Sequence, residues 1–304
     1  MYSIQEIRAK YAELLGVFEY GDAATAAILK NFDKLTGYSQ LSDKLCAHYE
    51  SYSNGTLDMS VLNSDVEYSA EVSGMSVYEC RLVLYTSLLS LSRAYYDNAG
   101  LSKTVWYDSI LDFKWKMEEC LDIHGVYGIF TTWMDKWFFA KRAAFGRLEF
   151  DLNVAKADYV SGDVSVKAGD PVVAVHIPSH SRYEFTRESC KESYRMAYEY
   201  FKSIIGTPMI FGCCSWMVWE ENQRLLPESS RVRVFAADYD TVASYDGSDH
   251  LWRIYGRADC SDIASLPERT GLQRIYKSYL LEHGKIGSSQ GYFCYEHRFG
   301  STNL

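Results

Sequence analysis

The amino-acid sequence predicts an α+β protein: an N-terminal all-helical domain, followed by a domain built on a mixed β-sheet flanked by helices. Three observations support this prediction. All five prolines lie after residue 170, so the first half lacks the residue that most strongly breaks helices. Helix-start signals and apolar residues at helical spacing recur through that half. From residue 145 the hydrophobic period changes to two, as in a strand.

The first half contains clear helix boundaries. Ser76 and Glu79 have capping-box spacing, in which the serine hydroxyl accepts from a backbone N–H and the glutamate returns to the cap. After Ser76, and again after Ser102, apolar residues recur every three or four positions and line one helix face. Gly125 is typical of a helix end. The predicted helical domain therefore covers residues 1–143.

The second half, residues 144–304, predicts strands that are only partly separated by helices. In 147–152 the polar residues point to one side of a strand and the apolar residues to the other. Further strands are predicted at 172–177, 208–216, 231–239, 250–257 and 291–299, and helices at 186–206, 220–227 and 267–283. Neither a strict alternation nor an all-β pattern fits this order, which favours a mixed sheet with helices packed on it.

The composition excludes several classes of protein. A formal net charge of −9 argues against nucleic-acid and anionic-membrane binding, since both need a basic surface. The longest apolar stretch, 82–92, is shorter than the about 20 residues that span a bilayer. The first residues lack the features of a signal peptide, which predicts a cytoplasmic protein. The eight cysteines form no C-x-x-C pair, so we expect reduced thiols and no metal site.

Seven segments of the second half carry a family resemblance: FGRLEF, VVAVHIPS, CCSWM, LLPESSRVRVF, LWRIYGR, LPERTGLQR and GKIGSSQGYF. They resemble a bacterial family of acyltransferases with a helical N-acyltransferase N-terminal domain and a GNAT-like C-terminal domain. The order of elements after residue 172 also resembles the second half of the GNAT fold. The resemblance implies transfer of an acyl group from acyl-CoA, either acetyl-CoA or a longer one, to a small-molecule amine or peptide acceptor.

The resemblance also implies where the cofactor binds. In the GNAT fold, strand four leads into the helix that receives the pyrophosphate, and strand five diverges from it to form the acyl slot. This implies cofactor-binding roles after strand four for Ile177, Ser179, His180, Ser181, Arg182, Thr186 and Arg187, and on strand five for Cys214 and Ser215. The loop SHSRYEFTRES lacks the usual glycines, so hydroxyls, a guanidinium and a helix N-terminus would replace glycine amides.

Acyl transfer to an amine needs a base for the attacking nitrogen and an acid for the leaving thiolate. His176 is the first candidate base, because imidazole titrates near neutral pH. Glu149 is the second, because burial would raise the pKa of a carboxyl group. Tyr255, on a predicted strand, is the candidate acid. Alternatively, His176 is a hydrogen-bonded core residue, and Glu149 is exposed or paired with Arg147.

Two other functions are compatible with the sequence. A binding or scaffolding protein would keep the GNAT-like fold without cofactor affinity, as the glycine-free loop permits. A hydrolase would use Cys214 or Ser215 as the nucleophile and His176 as the base. The segment GCCSWM lacks the second glycine of a G-x-S-x-G nucleophile elbow, which weakens the hydrolase hypothesis.

Overall fold

The computed structural model describes residues 2–247 and 250–300, and the chain divides between Lys141 and Arg142 into two compact units. In its described part, the first unit contains the helices α1 (Ile4–Val17), α2 (Asp22–Thr36), α3 (Ser39–Ser53), α4 (Met59–Ser73), α5 (Val77–Leu88), α6 (Arg93–Asn98), α7 (Lys103–His124) and α8 (Asp135–Phe138). None of the helices in the described ranges combines the length and the apolar character that a membrane span requires.

The predicted helix boundaries of this unit are confirmed. The Ser76 hydroxyl accepts a hydrogen bond from the Glu79 N–H at 3.2 Å, and the Glu79 carboxylate returns to the Ser76 N–H at 3.0 Å. Ser102 caps α7, and Gly125 ends it in the left-handed conformation. Every residue of α5 from Cys80 to Leu88 is buried, which makes α5 the central helix of the unit.

The second unit is built on a mixed six-stranded sheet. Its strands are β1 (Arg142–Phe145), β2 (Leu148–Val154), β5 (Pro171–His176), β6 (Ile210–Ser215), β7 (Asp240–Asp246) and β8 (Gly287–Cys294), while β3 (Tyr159–Ser161) and β4 (Val164–Val166) form a separate hairpin. The order across the sheet is β1-β2-β5-β6-β8-β7. Among the strand pairs of the described residues, only the contact of β5 with β6 is parallel, so the predicted mixed sheet is confirmed.

Six helices complete the described part of this unit: α9 (Arg187–Ile205), α10 (Asn222–Leu225), α11 (Arg231–Ala236), α12 (Leu251–Tyr255), α13 (Gly271–His283) and α14 (Tyr295–Phe299). Thr186 caps α9 as expected. The third predicted helix begins later than Pro267, because Thr270 forms a capping box with Gln273.

Two predicted strands are wrong. Residues 231–239 contain helix α11 and 250–257 contain helix α12, whereas the strand of this region is β7. In α12 the buried residues Leu251, Ile254 and Tyr255 follow the helical spacing of three and four. They pack in a cluster with Tyr276 and Leu280 of α13. A short apolar run is compatible with either a strand or a helix. In this segment the run is helical and its buried face packs against α13.

The two faces of the sheet differ in character. One face is aromatic and packs against α9: the ring of Tyr194 lies 6.3 Å from Phe150 of β2, 5.9 Å from Phe211 of β6 and 5.0 Å from Phe293 of β8. We call it the α9 face. Because side chains alternate along a strand, the neighbours of these residues project from the opposite face, which carries Asp151 of β2 and which we call the polar face.

Candidate functional site

Strands β5 and β6 pair over a short distance and then separate. Val173 pairs with Phe211 and Ala174 with Gly212, and these are the two pairs of the parallel contact. β5 continues to His176, paired with β2, and β6 continues to Ser215, paired with β8. The carboxyl ends of the two central strands therefore diverge, which is the arrangement that the family resemblance implies.

A pocket of about 190 Å³ opens on the polar face where the strands begin to separate. Ala174 and His176 line it from β5, and Gly212 and Cys214 line it from β6. Tyr292 of β8 lines the pocket as well. The pocket combines carbon surface with a few polar groups, as ligand sites usually do.

His176 belongs to a network of ionisable groups at the edge of this pocket. Its Nε2 lies 3.0 Å from Oδ2 of Asp151, a fully buried carboxylate on the adjacent strand. The same Oδ2 accepts from Nε of Arg142 at 2.7 Å and lies 2.5 Å from its Nη2. The side chain of His176 is 31% exposed, so the imidazole connects a buried ion pair to the surface. Neither Asp151 nor Arg142 was among the predicted site residues.

Glu149 lies beside this network. It is the cross-strand partner of His176 in the antiparallel β2–β5 pair, so the two side chains project from the same face. Only 3% of Glu149 is exposed, which excludes the alternative of an exposed strand glutamate. Arg147 and Asp151 are buried as well, so the expectation that β2 buries only its apolar face is wrong.

The loop after β5 leads into the N-terminus of α9. Most of the predicted cofactor-binding residues lie in this loop: Ile177, Ser179, His180, Ser181 and Arg182. The Ser181 hydroxyl accepts from the Tyr183 N–H at 3.2 Å, and Thr186 caps the helix by accepting from the Ser189 N–H. Arg187 is the first residue of α9 and is exposed. The loop therefore gathers hydroxyls and cationic groups at a helix N-terminus, where anions bind well.

Arg147 fixes the position of this loop. Its Nη2 donates to the Pro178 carbonyl at 3.0 Å, and its guanidinium lies 4.9 Å from the centre of the Phe185 ring. Its backbone N–H donates to the Ser193 hydroxyl of α9 at 2.9 Å. A single buried side chain thus ties both ends of the loop to the turn between β1 and β2. From the sequence, Arg147 was expected only as a possible partner for Glu149.

Asp238 is a further residue that the sequence analysis missed. It is 1% exposed, and its Oδ1 lies 3.8 Å from Nη2 of Arg187. Burial raises the pKa of Asp238, while the charge of Arg187 lowers it in part. The carboxylate therefore holds Arg187 near the helix N-terminus while the rest of that side chain faces solvent.

Tyr255 lies away from the strands on which the sequence placed it. It is 4% exposed within the cluster of α12 and α13, and its hydroxyl donates to the Gln273 carbonyl at 3.2 Å. Burial raises its pKa to about 12. Tyr255 is a candidate acid because of its predicted position on a strand, but in the structure it lies on helix α12.

Cys214 and Ser215 occupy different environments. The Ser215 hydroxyl accepts from the Met217 N–H at 3.1 Å and caps a short 3₁₀ helix. Cys214 lines the pocket, and burial raises the pKa of its thiol. A nucleophilic cysteine needs the opposite shift, so this geometry does not favour the hydrolase hypothesis.

We expect iodoacetamide to label Cys214 slowly at pH 7, because the thiolate is the reactive form and the pKa of this thiol is raised. The rate should increase as the pH rises past about 8.5, the ordinary thiol value. Peptide mass spectrometry would follow the label, with Cys214→Ser as the control. Rapid labelling at pH 6 to 7 that the control abolishes would contradict this expectation and favour the hydrolase.

Two family models match the chain and together account for most of it. Residues 9–140 match the N-acyltransferase N-terminal domain, and residues 143–293 match the GNAT-like C-terminal domain. A comparison with curated proteins found no match.

Solved structures of acyltransferases are similar in fold. A structure with decanoyl-CoA and teicoplanin is 16% identical, covers 97% of this chain and 89% of its own, and gives a TM-score of 0.68. A mutant with octanoyl-CoA is 15% identical, covers 93% and 86%, and gives 0.69. A structure with CoA and 10C-teicoplanin is 16% identical, covers 71% and 67%, and gives 0.59.

Proposed function

The chain belongs to the family that joins an N-acyltransferase N-terminal domain to a GNAT-like C-terminal domain, and from this we propose that it transfers an acyl group from acyl-CoA to an amine. The observation that carries the proposal is the divergence of β5 and β6 with His176 at its edge. The similar structures contain CoA, octanoyl-CoA or decanoyl-CoA, which supports acyl-CoA as the co-substrate.

The separated strands offer a place for the thioester. Beyond Ala174 and Gly212, the backbone of each strand turns one edge toward the gap instead of toward a paired strand. A backbone N–H at the end of β5 can donate to the thioester carbonyl and stabilise the negative charge that develops on its oxygen. Ile177 follows the last residue of β5, and Cys214 and Ser215 are the last two residues of β6.

His176 is our proposed base, with Asp151 as the residue that orients it. The Asp151 carboxylate lies 3.0 Å from Nε2, and its negative charge favours a proton on that nitrogen in the neutral imidazole. Nδ1 then has the lone pair that removes a proton from the attacking amine. Arg142 balances the charge of the buried Asp151 carboxylate, and Asp151 in turn stabilises the imidazolium that forms.

The leaving thiolate depends less on acid catalysis than the attacking nitrogen depends on base catalysis. A thiol has an ordinary pKa of about 8.5, so its thiolate leaves readily and protonated His176 can return the proton. Glu149, opposite His176 on β2, adds a carboxylate that would attract a cationic amine to the same side. We propose a small-molecule amine or a peptide as the acceptor, and the teicoplanin in one of the similar structures supports this class.

We propose that the pyrophosphate binds at the N-terminus of α9. Arg187 and Arg182 supply cationic groups, while Ser179, Ser181 and Thr186 supply hydroxyls. The first-turn N–H groups of the helix and its dipole favour an anion there. His180 lies on the same exposed loop and would add a donor.

We expect CoA or acetyl-CoA at a concentration of 100 times Kd to stabilise the protein by about 2.7 kcal/mol through mass action. Arg187→Gln should weaken CoA binding several-fold, because it removes a charge-assisted contact to phosphate. Arg195→Gln, an exposed change further along α9, should leave the affinity unchanged. Differential scanning fluorimetry and calorimetry would measure both.

The same measurement separates the transferase from a binding or scaffolding protein. If neither CoA nor any acyl-CoA at millimolar concentration shifts the melting temperature, the fold is present without cofactor affinity. Equal losses of affinity in Arg187→Gln and Arg195→Gln would place the pyrophosphate elsewhere.

A further inference from the structure

We propose that Tyr292 closes one end of the acyl pocket and limits the donor to short acyl chains of up to about six carbons, if each carbon fills about 30 Å³, the volume of one water molecule in the liquid. The inference rests on the proposed function and names the substrate class of that same site. It concerns the pocket of about 190 Å³ on the polar face, which Tyr292 lines together with Gly212 and Cys214.

The position of Tyr292 is fixed from two sides. A Cβ atom at position 212 would lie 2.6 Å from the Tyr292 ring, so glycine is what lets the ring lie across β6. The Tyr292 hydroxyl accepts from the Lys156 N–H at 2.7 Å. With 1% exposure and both ends held, the ring is a rigid wall.

The route of the cofactor directs the acyl group to this wall. The pyrophosphate site is at the N-terminus of α9, and α9 packs on one face of the sheet. A thioester held in the gap between β5 and β6 therefore has its CoA part on the α9 side. Its acyl chain continues to the opposite side, where the pocket lies under Ala174 and Gly212.

Tyr292 also separates the pocket from a group of buried apolar side chains. It is a member of the buried cluster that includes Ala155, Tyr159, Val172 and Ile210. Without the ring, the pocket would extend toward these side chains by the volume that the ring occupies. The acyltransferase structures of similar fold contain octanoyl-CoA and decanoyl-CoA, so a short-chain limit would distinguish this chain from them.

The test is a chain-length series of acetyl-, butyryl-, hexanoyl-, octanoyl- and decanoyl-CoA, measured by calorimetry. In the wild type, each methylene that finds room should tighten binding about fourfold until about six carbons, and further methylenes should add nothing. Tyr292→Leu should move this limit to longer chains. Cys214→Leu fills the same pocket from β6 and should move the limit to shorter ones.

Phe293→Leu is the matched control. Phe293 is the next residue of β8, is equally buried, and packs against Tyr194 on the α9 face. The Phe293→Leu variant should lose about as much stability as Tyr292→Leu. Its chain-length limit should be the same as that of the wild type.

The outcomes separate the two proposals. If CoA binds and the wild type, Tyr292→Leu and Cys214→Leu share one chain-length profile, the assignment of the acyl pocket is overturned while the transferase stands. If Tyr292→Leu changes the KM of the amine acceptor and not the donor profile, the pocket belongs to the acceptor. If no CoA thioester binds any variant or the wild type, the proposed function itself fails.

Discussion

His176→Gln is expected to lower kcat by about 10² to 10⁴-fold, the usual contribution of a positioned acid–base group. Glutamine keeps a polar side chain of similar length but cannot accept the proton of the amine. The affinity for acyl-CoA should stay close to that of the wild type, because the thioester and pyrophosphate are held by other groups. Steady-state kinetics with a thiol-detecting reagent, together with calorimetry, would measure the two effects.

The pH profile provides the sharper readout. Protonated imidazole has no lone pair to offer, so the wild-type rate should fall on acidification, and that limb should vanish in His176→Gln. His283→Gln, at an exposed histidine near the end of α13, is the control and should retain the wild-type profile. A His176→Gln enzyme with wild-type kcat would exclude His176 as the base and leave Glu149 as the candidate.

Asp151→Asn is expected to destabilise the protein by about 3 to 5 kcal/mol, because it leaves the charge of Arg142 buried without its partner. It should also lower kcat at least about tenfold, since a neutral amide neither favours a proton on Nε2 nor stabilises the imidazolium. Urea unfolding and kcat measured on the same preparations would give both values.

The double change Asp151→Asn with Arg142→Met separates structure from catalysis. Removing both charges should recover much of the lost stability, because no unpaired ion remains buried. The kcat should stay low, because the carboxylate that orients His176 is still missing. Recovery of kcat together with stability would show that Asp151 acts on the fold and not on His176.

The sequence predicted most of what positions the site. The change of period after Phe145 and the cap at Thr186 are found where the pattern indicated, and the strand predicted at 172–177 is β5 at Pro171–His176. Local signals sufficed for these elements, because capping geometry and hydrophobic spacing depend on residues a few positions apart.

The parts that the sequence did not predict depend on distant residues. Asp151 looked like an outward-facing strand residue, and only the β2–β5 register brings it to His176. Arg147 meets Pro178 across 31 positions of sequence, and Asp238 meets Arg187 across 51. The apolar run of α12 suits a strand or a helix, and the strand was predicted. The predicted position of Tyr255 was therefore wrong as well.

The two residue pairs between β5 and β6 make the sheet, in effect, two antiparallel ribbons that share a short junction. Tyr194 contacts rings from both ribbons and keeps them together from one side. A pantetheine arm carries amide groups of its own, so in the gap it can pair with strand edges as an added strand does. The cofactor would then bridge the two ribbons where the strands separate.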